Sequence, residues 1–213
     1  MVPYGLQKRL SRGVDLVIYL TFACNYKCSY CGLKMPISYP DPVMAFPDGP
    51  MEKTRLTVEG WKDFITNFPI KIREIKLTGG EPVYYNGFIQ LSNWILEQGY
   101  FLHINTNLST TYKLTHINPS SRLYIQATYH PSETPLSGFL YNQERVSEEH
   151  RVETQQIGKV VEQGMRKIPW STMEDAKKTF KRTLVVAPDG AIYTSCYNVV
   201  RANLKERNEK NKP

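Results

Sequence analysis

The chain has 213 residues, a size typical of one domain with a substantial hydrophobic core. Apolar residues make up 41% of the chain and charged residues 22%, as in an ordinary globular protein. The net charge of +7 is spread evenly along the sequence, which excludes a domain-sized basic block.

Three properties of the sequence predict a cytoplasmic protein that does not enter a membrane. The basic residues Lys8, Arg9 and Arg12 precede an apolar stretch, Val14–Leu20, but this stretch is too short for a signal peptide and is interrupted by Asp15. No segment approaches the roughly 20 apolar residues of a membrane span. The chain has 4 cysteines, and they do not form the pattern of a disulfide framework because three of them crowd into one short segment.

Strand and helix patterns alternate through the first 130 residues. The predicted strands are Val14–Thr21, Glu74–Thr78, Tyr100–Asn105 and Leu123–Thr128. A helix is predicted over Leu56–Phe68 with Thr57 as its N-cap, and a second helix is capped by Asn86 and ends at Gly99. Strands separated by helices indicate right-handed crossovers and a parallel sheet.

The pattern is less regular after residue 130. Residues 141–164 are polar with helical character, and Ser171–Glu174 has the spacing of a capping box that begins another helix. The turn Pro188–Gly190 between two short apolar runs predicts a β-hairpin. We expect one barrel-like domain over 1–195 and a C-terminal helix or tail, in part disordered, over 196–213.

Three cysteines, Cys24, Cys28 and Cys31, follow the first predicted strand at C-x3-C-x2-C spacing. Thiolates are the soft ligands that iron–sulfur clusters use, and three of them leave one iron of a [4Fe–4S] cube with an open coordination position. Two alternatives stay open. The same cysteines with Cys196 or a histidine would suit zinc, and offsets of four and seven also match buried thiols on one helix face.

The segment Gly79-Gly80-Glu81-Pro82 follows the second predicted strand. Glycines allow the backbone to approach a ligand closely because they lack a Cβ, and Glu81 is held extended by the proline after it. Taken alone, the segment is equally typical of a tight turn that needs glycine. In a parallel sheet it would share one edge with the cysteine loop.

The cysteine run with Tyr30 before its last cysteine, and Gly79–Pro82 about 50 residues later, resemble the radical S-adenosylmethionine (radical SAM) enzymes. The resemblance implies a compact α/β protein with a partial, open TIM-like (β/α)6 barrel of parallel strands, whose C-terminal part is trimmed or irregular and contains the hairpin. It also implies that Cys24, Cys28 and Cys31 ligate a [4Fe–4S] cluster whose open iron binds S-adenosylmethionine. Reduction by a donor such as flavodoxin or ferredoxin would yield a 5′-deoxyadenosyl radical that abstracts a substrate hydrogen.

The same resemblance assigns further cofactor contacts at the strand ends. Gly79, Gly80, Glu81 and Pro82 would receive the amino group of S-adenosylmethionine, and Tyr30 would lie near its adenine. Asn105 and Asn107 follow the third strand, where family members carry a short asparagine motif, although here Leu108 replaces the more usual glycine. Thr128 and His130 lie on one face at the end of the fourth strand. A polar turn and a structural histidine are the plainer interpretations of these two segments.

His130 and Cys196 are the candidate catalytic residues, and a buried structural thiol is the plainer interpretation of Cys196. A hairpin that leads to a cysteine is similar to the start of the extension in family members with peptide substrates. We therefore expect a peptide or protein substrate. The alternatives are a nucleotide or nucleic acid, suggested by the mild basicity, and a non-catalytic binding module stabilised by zinc or a cluster.

Overall fold

The computed structural model describes residues 13–28, 31, 54–156, 166–167 and 183–193. The helix predicted to begin at Ser171–Glu174, and the tail predicted over 196–213, lie outside these ranges. Every structural statement below concerns the described residues.

The described strands form one 8-stranded sheet with the order β6-β5-β4-β3-β2-β1-β7-β8. Neighbouring strands run parallel, except that β7 and β8 pair antiparallel as the predicted hairpin. The strands are β1 (Val14–Thr21), β2 (Ile72–Gly79), β3 (Phe101–Thr106), β4 (Leu123–Tyr129), β5 (Val152–Gln156), β6 (Arg166–Lys167), β7 (Thr183–Val186) and β8 (Ile192–Tyr193). The sheet does not close on itself within the described residues, which confirms the predicted open, TIM-like α/β fold.

The described residues also form four α-helices: α1 (Val58–Thr66), α2 (Phe88–Glu97), α3 (Tyr112–Thr115) and α4 (Leu136–Ser147). Alternate residues in the middle of β1 to β4 are apolar and buried, as Ile18 and Ile104 illustrate. These residues share one hydrophobic cluster with Trp61, Phe88 and Phe139 of the helices. The core therefore lies between one face of the sheet and the helices, as expected for βαβ units.

The opposite face of the central strands is polar. Lys76 of β2 lies beside His103 of β3, which in turn lies beside Tyr124 of β4. Nδ1 of His103 is 3.3 Å from a carboxylate oxygen of Glu74, and its ring meets the edge of the Tyr124 ring. Alternation along the strands thus separates an apolar helix-facing side from a polar side.

The first helix begins as predicted, but the second does not. The amide of Gly60 donates to Oγ1 of Thr57 at 3.2 Å, which confirms the cap of α1. The predicted cap Asn86 is wrong, because Gly87 occupies the N-cap of α2 and makes no side-chain hydrogen bond. A Cβ at Gly87 would lie 1.9 Å from Cγ2 of Val58, so close packing against α1 determines this helix start.

The helical prediction for residues 141–164 is correct only at its beginning. Helix α4 ends at Ser147, and the chain then forms strand β5, which pairs with β4. Val152 and Thr154 align with Ile125 and Ala127, so tertiary pairing with the sheet overrides the local helical pattern. Residues 157–164 lie outside the described part.

No helix in the described ranges is both long enough and apolar enough to cross a membrane.

Candidate functional site

Four neighbouring strands deliver polar or reactive segments to one edge of the sheet. The cysteine loop follows β1, Gly79–Pro82 ends β2, Asn107 follows β3, and His130 follows β4. Since β4, β3, β2 and β1 are adjacent and parallel, their carboxyl ends share this edge. The convergence predicted from the sequence is present.

Gly79 and Gly80 bring the end of β2 into direct contact with the backbone that begins the cysteine loop. The amide of Gly80 donates to the carbonyl of Thr21 at 2.9 Å, and the amide of Glu81 donates to that of Ala23 at 2.8 Å. A Cβ at Gly79, which has φ +138°, would lie 2.1 Å from the Thr21 carbonyl oxygen, and one at Gly80 would lie 2.3 Å from that of Ala23. The two glycines are therefore required by protein packing, whereas the sequence suggested a close approach to a ligand.

The side chain of Glu81 is buried and connects β2 to the end of β3. Its carboxylate accepts a hydrogen bond from Oγ1 of Thr106 at 2.7 Å and one from the amide of Asn107 at 2.6 Å. Burial raises the pKa of Glu81 to about 7, and the bonds from Asn107, Thr106 and the Val83 backbone oppose this by favouring the charged form. The residue therefore lies near its own titration point at neutral pH.

Asn107 extends this connection to the cysteine loop. Its Nδ2 donates to Oδ1 of Asn25 at 3.0 Å and lies 3.8 Å from Sγ of Cys24, while its Oδ1 accepts from the amide of Ser109 at 2.9 Å. A chain of contacts therefore runs from Glu81 through Asn107 to the first cysteine.

Leu108 has φ +59°, the left-handed conformation that glycine adopts without strain. Its side chain is buried in the core, and its carbonyl accepts a hydrogen bond from Nδ2 of Asn142 at 2.9 Å. A leucine whose side chain packs inward thus occupies a backbone conformation that glycine adopts more readily.

The three cysteines are not joined in disulfides within the described part of the chain, and Cys28 is the most buried of them. Sγ of Cys24 accepts a hydrogen bond from the amide of Tyr26 at 3.4 Å. Burial raises the pKa of Cys24 to about 11, and the neighbouring carboxylate of Glu81 adds a smaller increase. Thiolates at this site therefore need a positively charged group beside them, which bound iron provides.

No three Cys, His, Asp or Glu side chains among the described residues converge on a point that could hold a single metal ion. A [4Fe–4S] cube does not require such convergence, since each thiolate binds a different iron.

His130 packs against the cysteine loop from the β4 side. Its Nδ1 lies 3.3 Å from Sγ of Cys28, and its ring meets that of Tyr26 edge-on at 5.6 Å. The carboxylate of Glu133 accepts a hydrogen bond from the amide of Lys27 at 2.9 Å. Burial lowers the pKa of His130 to about 4, so the ring is neutral at physiological pH.

The other predicted site residues differ in their surroundings. Oγ1 of Thr128 accepts a hydrogen bond from Nε2 of Gln155 at 2.9 Å, and both residues are buried. Oδ1 of Asn105 is buried and has no hydrogen-bond partner among the described residues. Pro82 begins a short 3-10 turn, Pro82–Tyr84. Tyr30 and Cys196 lie outside the described part of the chain.

Sequence reasoning missed three participants: Asn25, Thr106 and Glu133. Asn25 lies within the cysteine run, and Thr106 immediately precedes Asn107, so their positions beside recognised motifs were the available signal. Glu133 meets Lys27 across 106 residues of sequence, and no local pattern indicates that pairing.

Comparison with known proteins yields short stretches of sequence similarity, and no family model matches the chain. A Methanocaldococcus jannaschii protein, named as a glycyl-radical enzyme activating enzyme, is 27% identical over 95 residues, which are 44% of this chain and 31% of that protein. An S-adenosylmethionine-dependent nucleotide dehydratase from Selenomonas ruminantium is 32% identical over 92 residues, 42% of this chain and 28% of that enzyme. The matches thus span less than a third of either relative.

Two observations agree: the chain is similar in sequence to these relatives, and its cysteine loop and Gly-Gly-Glu-Pro segment lie on one edge of an open parallel sheet. In sequence, the chain is therefore similar to radical SAM enzymes. Its three cysteine thiols and the surrounding edge supply ligands of the type that an iron–sulfur cluster needs.

Two solved structures of Streptococcus suis SuiB also resemble the chain. SuiB bound to the precursor peptide SuiA gives a TM-score of 0.49 at 16% identity, covering 73% of this chain and 36% of that one. SuiB bound to S-adenosylmethionine gives 0.49 at 11% identity, covering 86% and 60%. No statement about the function of this chain follows from likeness of this extent.

Replacing Gly80 with alanine is expected to destabilise the fold. The added Cβ would lie 2.3 Å from the Ala23 carbonyl oxygen, and the backbone atoms there cannot rotate away. We expect a loss of about 1–3 kcal/mol in the free energy of unfolding, measured by urea denaturation of the metal-free protein.

Gly138→Ala in α4 is the matched control for this variant, since its Cβ would meet nothing closer than Oγ1 of Thr134 at 3.7 Å. We expect equal or higher stability for Gly138→Ala. Equal stabilities of the two alanine variants would contradict the close backbone contact.

The buried Glu81 predicts a pH dependence of stability. Its pKa of about 7 in the folded protein lies above the unfolded value of 4.5. The folded state is therefore stabilised by protonation of Glu81; this stabilisation is complete below pH 4.5 and is lost as the pH rises through 7. Relative to Glu81→Gln, the free energy of unfolding of the native protein should fall by on the order of 3 kcal/mol across this range.

Urea denaturation of the metal-free protein at several pH values measures this difference, and the exposed Glu97→Gln serves as the control. Glu97→Gln should follow the native pH profile. A native profile parallel to that of Glu81→Gln would show that the pKa of Glu81 is the same in the folded and unfolded states, which would contradict the prediction.

Proposed function

We propose that the chain forms the catalytic core of a radical SAM enzyme, with a [4Fe–4S] cluster held by Cys24, Cys28 and Cys31. The observation that carries the proposal is the position of these thiols on the same sheet edge as Gly79–Pro82. The chain matches less than a third of the length of each curated relative. The activity is therefore proposed for this domain on its own residues and is not transferred from the full-length relatives.

The residues around the thiols suit an anionic sulfur cluster. The Tyr26 amide and Asn107 Nδ2 point toward Sγ of Cys24, and the His130 ring lies against Sγ of Cys28. Such N–H groups compensate the negative charge that bound sulfur carries. When bound, the cluster supplies the electron that cleaves the C–S bond of S-adenosylmethionine and produces the 5′-deoxyadenosyl radical.

S-Adenosylmethionine is proposed to bind along the same edge. Glu81 is 1% exposed and its carboxylate is engaged by Thr106 and Asn107, so the amino group would meet the backbone of Gly79–Pro82. Oδ1 of Asn105 is a buried acceptor that the described residues leave without a partner, and it would be satisfied by a bound hydroxyl or amine.

The remaining assignments continue as proposals from the sequence. Tyr30 would pack near adenine, Thr128 would contact the cofactor or substrate from beside Gln155, and Cys196 would handle substrate. A flavodoxin or ferredoxin would donate the electron, and we expect the enzyme to work in the cytoplasm.

A peptide or protein substrate is our first proposal for this enzyme. The hairpin β7–β8 precedes Cys196, as in the extensions of peptide-modifying family members, and one relative is named as an activator of a glycyl-radical enzyme. A nucleotide substrate is the second candidate, because the relative with 32% identity is named as a nucleotide dehydratase.

Anaerobic reconstitution with iron and sulfide tests the proposed chemistry. We expect a brown protein with one [4Fe–4S] cluster per chain that releases 5′-deoxyadenosine from S-adenosylmethionine on reduction. Alanine at Cys24, Cys28 or Cys31 should abolish both the cluster and the release, because each thiolate binds a separate iron.

Cys196→Ala separates this proposal from a zinc site. The cluster model expects the iron and sulfide content of Cys196→Ala to equal that of the native protein, whereas a four-cysteine zinc site would lose metal affinity. A colourless protein that binds one zinc ion and releases no 5′-deoxyadenosine would refute the enzyme proposal.

The salt dependence of binding separates a nucleic-acid substrate from the other classes. A nucleic-acid substrate predicts that binding of a short single-stranded RNA weakens about 10³-fold or more from 50 to 200 mM salt, as counterions are released. A peptide or a single nucleotide as substrate predicts no such RNA binding. Fluorescence anisotropy with labelled RNA measures this, with an uncharged peptide of the same label as the control.

A further inference from the structure

The imidazole of His130 lies against the thiol of Cys28. Nδ1 and Sγ are 3.3 Å apart, although the two residues are 102 positions apart in sequence. Cys28 is 4% exposed, so this contact is shielded from water. Hydrogen bonds to sulfur are stronger in such surroundings than in water.

The backbone and ring of His130 are both held in place. Its carbonyl accepts hydrogen bonds from the amides of Glu133 at 3.0 Å and Thr134 at 3.3 Å, and its ring meets Tyr26 edge-on. Glu133 in turn binds the amide of Lys27, next to Cys28. The orientation of the ring toward the sulfur is therefore set by the protein before any cofactor binds.

The direction of the hydrogen bond follows from the chemistry of bound sulfur. In the metal-free protein the thiol and the ring can each donate, depending on the tautomer. A cysteine that ligates iron carries no proton, so the hydrogen between the two atoms then has to reside on Nδ1.

We propose that His130 is a positioning residue that donates a hydrogen bond from Nδ1 to the cluster-bound thiolate of Cys28 and raises the reduction potential of the cluster. This inference rests on the proposed cluster at the three cysteines. Reduction adds negative charge to the cluster and its sulfur ligands, so an N–H donor stabilises the reduced state more than the oxidised state.

Two substitutions separate donation from packing. His130→Phe keeps a ring beside Tyr26 and removes the donor, whereas His130→Asn places an amide N–H near the position of Nδ1 and removes the ring. We expect His130→Phe to lower the ratio of reduced to oxidised cluster about tenfold at a fixed potential, equal to about 59 mV for one electron. His130→Asn should stay close to the native protein.

Redox titration of the reconstituted protein, followed by electron paramagnetic resonance, measures these ratios. His116→Phe is the control, since His116 is exposed and lies beside Tyr112, whose carbonyl is 2.7 Å from its Nδ1 and whose ring centroid is 4.1 Å from its own. Unchanged potentials in a fully loaded His130→Phe would overturn the proposal. Equal shifts in His130→Phe and His130→Asn would also overturn it, because they would indicate packing.

A measurement on the native sequence covers the case in which His130→Phe fails to fold or to bind the cluster. Protein labelled with ¹⁵N-histidine should show a weak nitrogen coupling to the reduced cluster in pulsed electron paramagnetic resonance. His130→Asn should lack that coupling. Its absence from a loaded native protein refutes the role of His130, whereas failure to form any cluster refutes the proposed function instead.

Discussion

The backbone contact between the ends of β1 and β2 is the constraint on which the site depends. The amides of Gly80 and Glu81 donate to the carbonyls of Thr21 and Ala23. No side chain larger than hydrogen fits at Gly79 or Gly80. This contact fixes the first residues of the cysteine loop before the thiols are reached. The loop therefore leaves the sheet in a direction set by main-chain packing, which is stiffer than side-chain contacts alone.

Glu81 carries that constraint to the next strand at a cost in free energy. A buried carboxylate is expensive unless it is hydrogen-bonded, and here Thr106 and Asn107 supply the donors from β3. Asn107 then faces Cys24, so a polar residue placed by the core controls the surroundings of a candidate ligand. Stability and cofactor binding consequently share the same side chains, and a change at Glu81 would act on both.

Features that depend on local residue patterns were predicted from the sequence, whereas features that depend on contacts between distant residues were not. The strands β1 to β4 and the cap at Thr57 follow from periodicity and residue type, and the shared edge follows from parallel topology. Strand β5 was predicted as helix because its polar residues reveal no pairing until β4 lies beside them. The pairing of Lys27 with Glu133 was equally inaccessible, since it arises only when the loop crosses the sheet edge.

The cysteine loop spans more of this edge than a simple β-to-α connection does. It starts at β1, yet Lys27 and Cys28 meet residues that follow β4, three strands and about 14 Å away in the sheet. Because the described sheet is open, closure of a barrel does not hold the ends of β1 and β4 together, and the contacts of the cysteine loop connect them instead. The thiols therefore lie in a loop anchored at both β1 and β4 by protein contacts alone. The described part of the loop, which carries Cys24 and Cys28, is thus held in place by the protein, and such preorganisation would favour cluster binding.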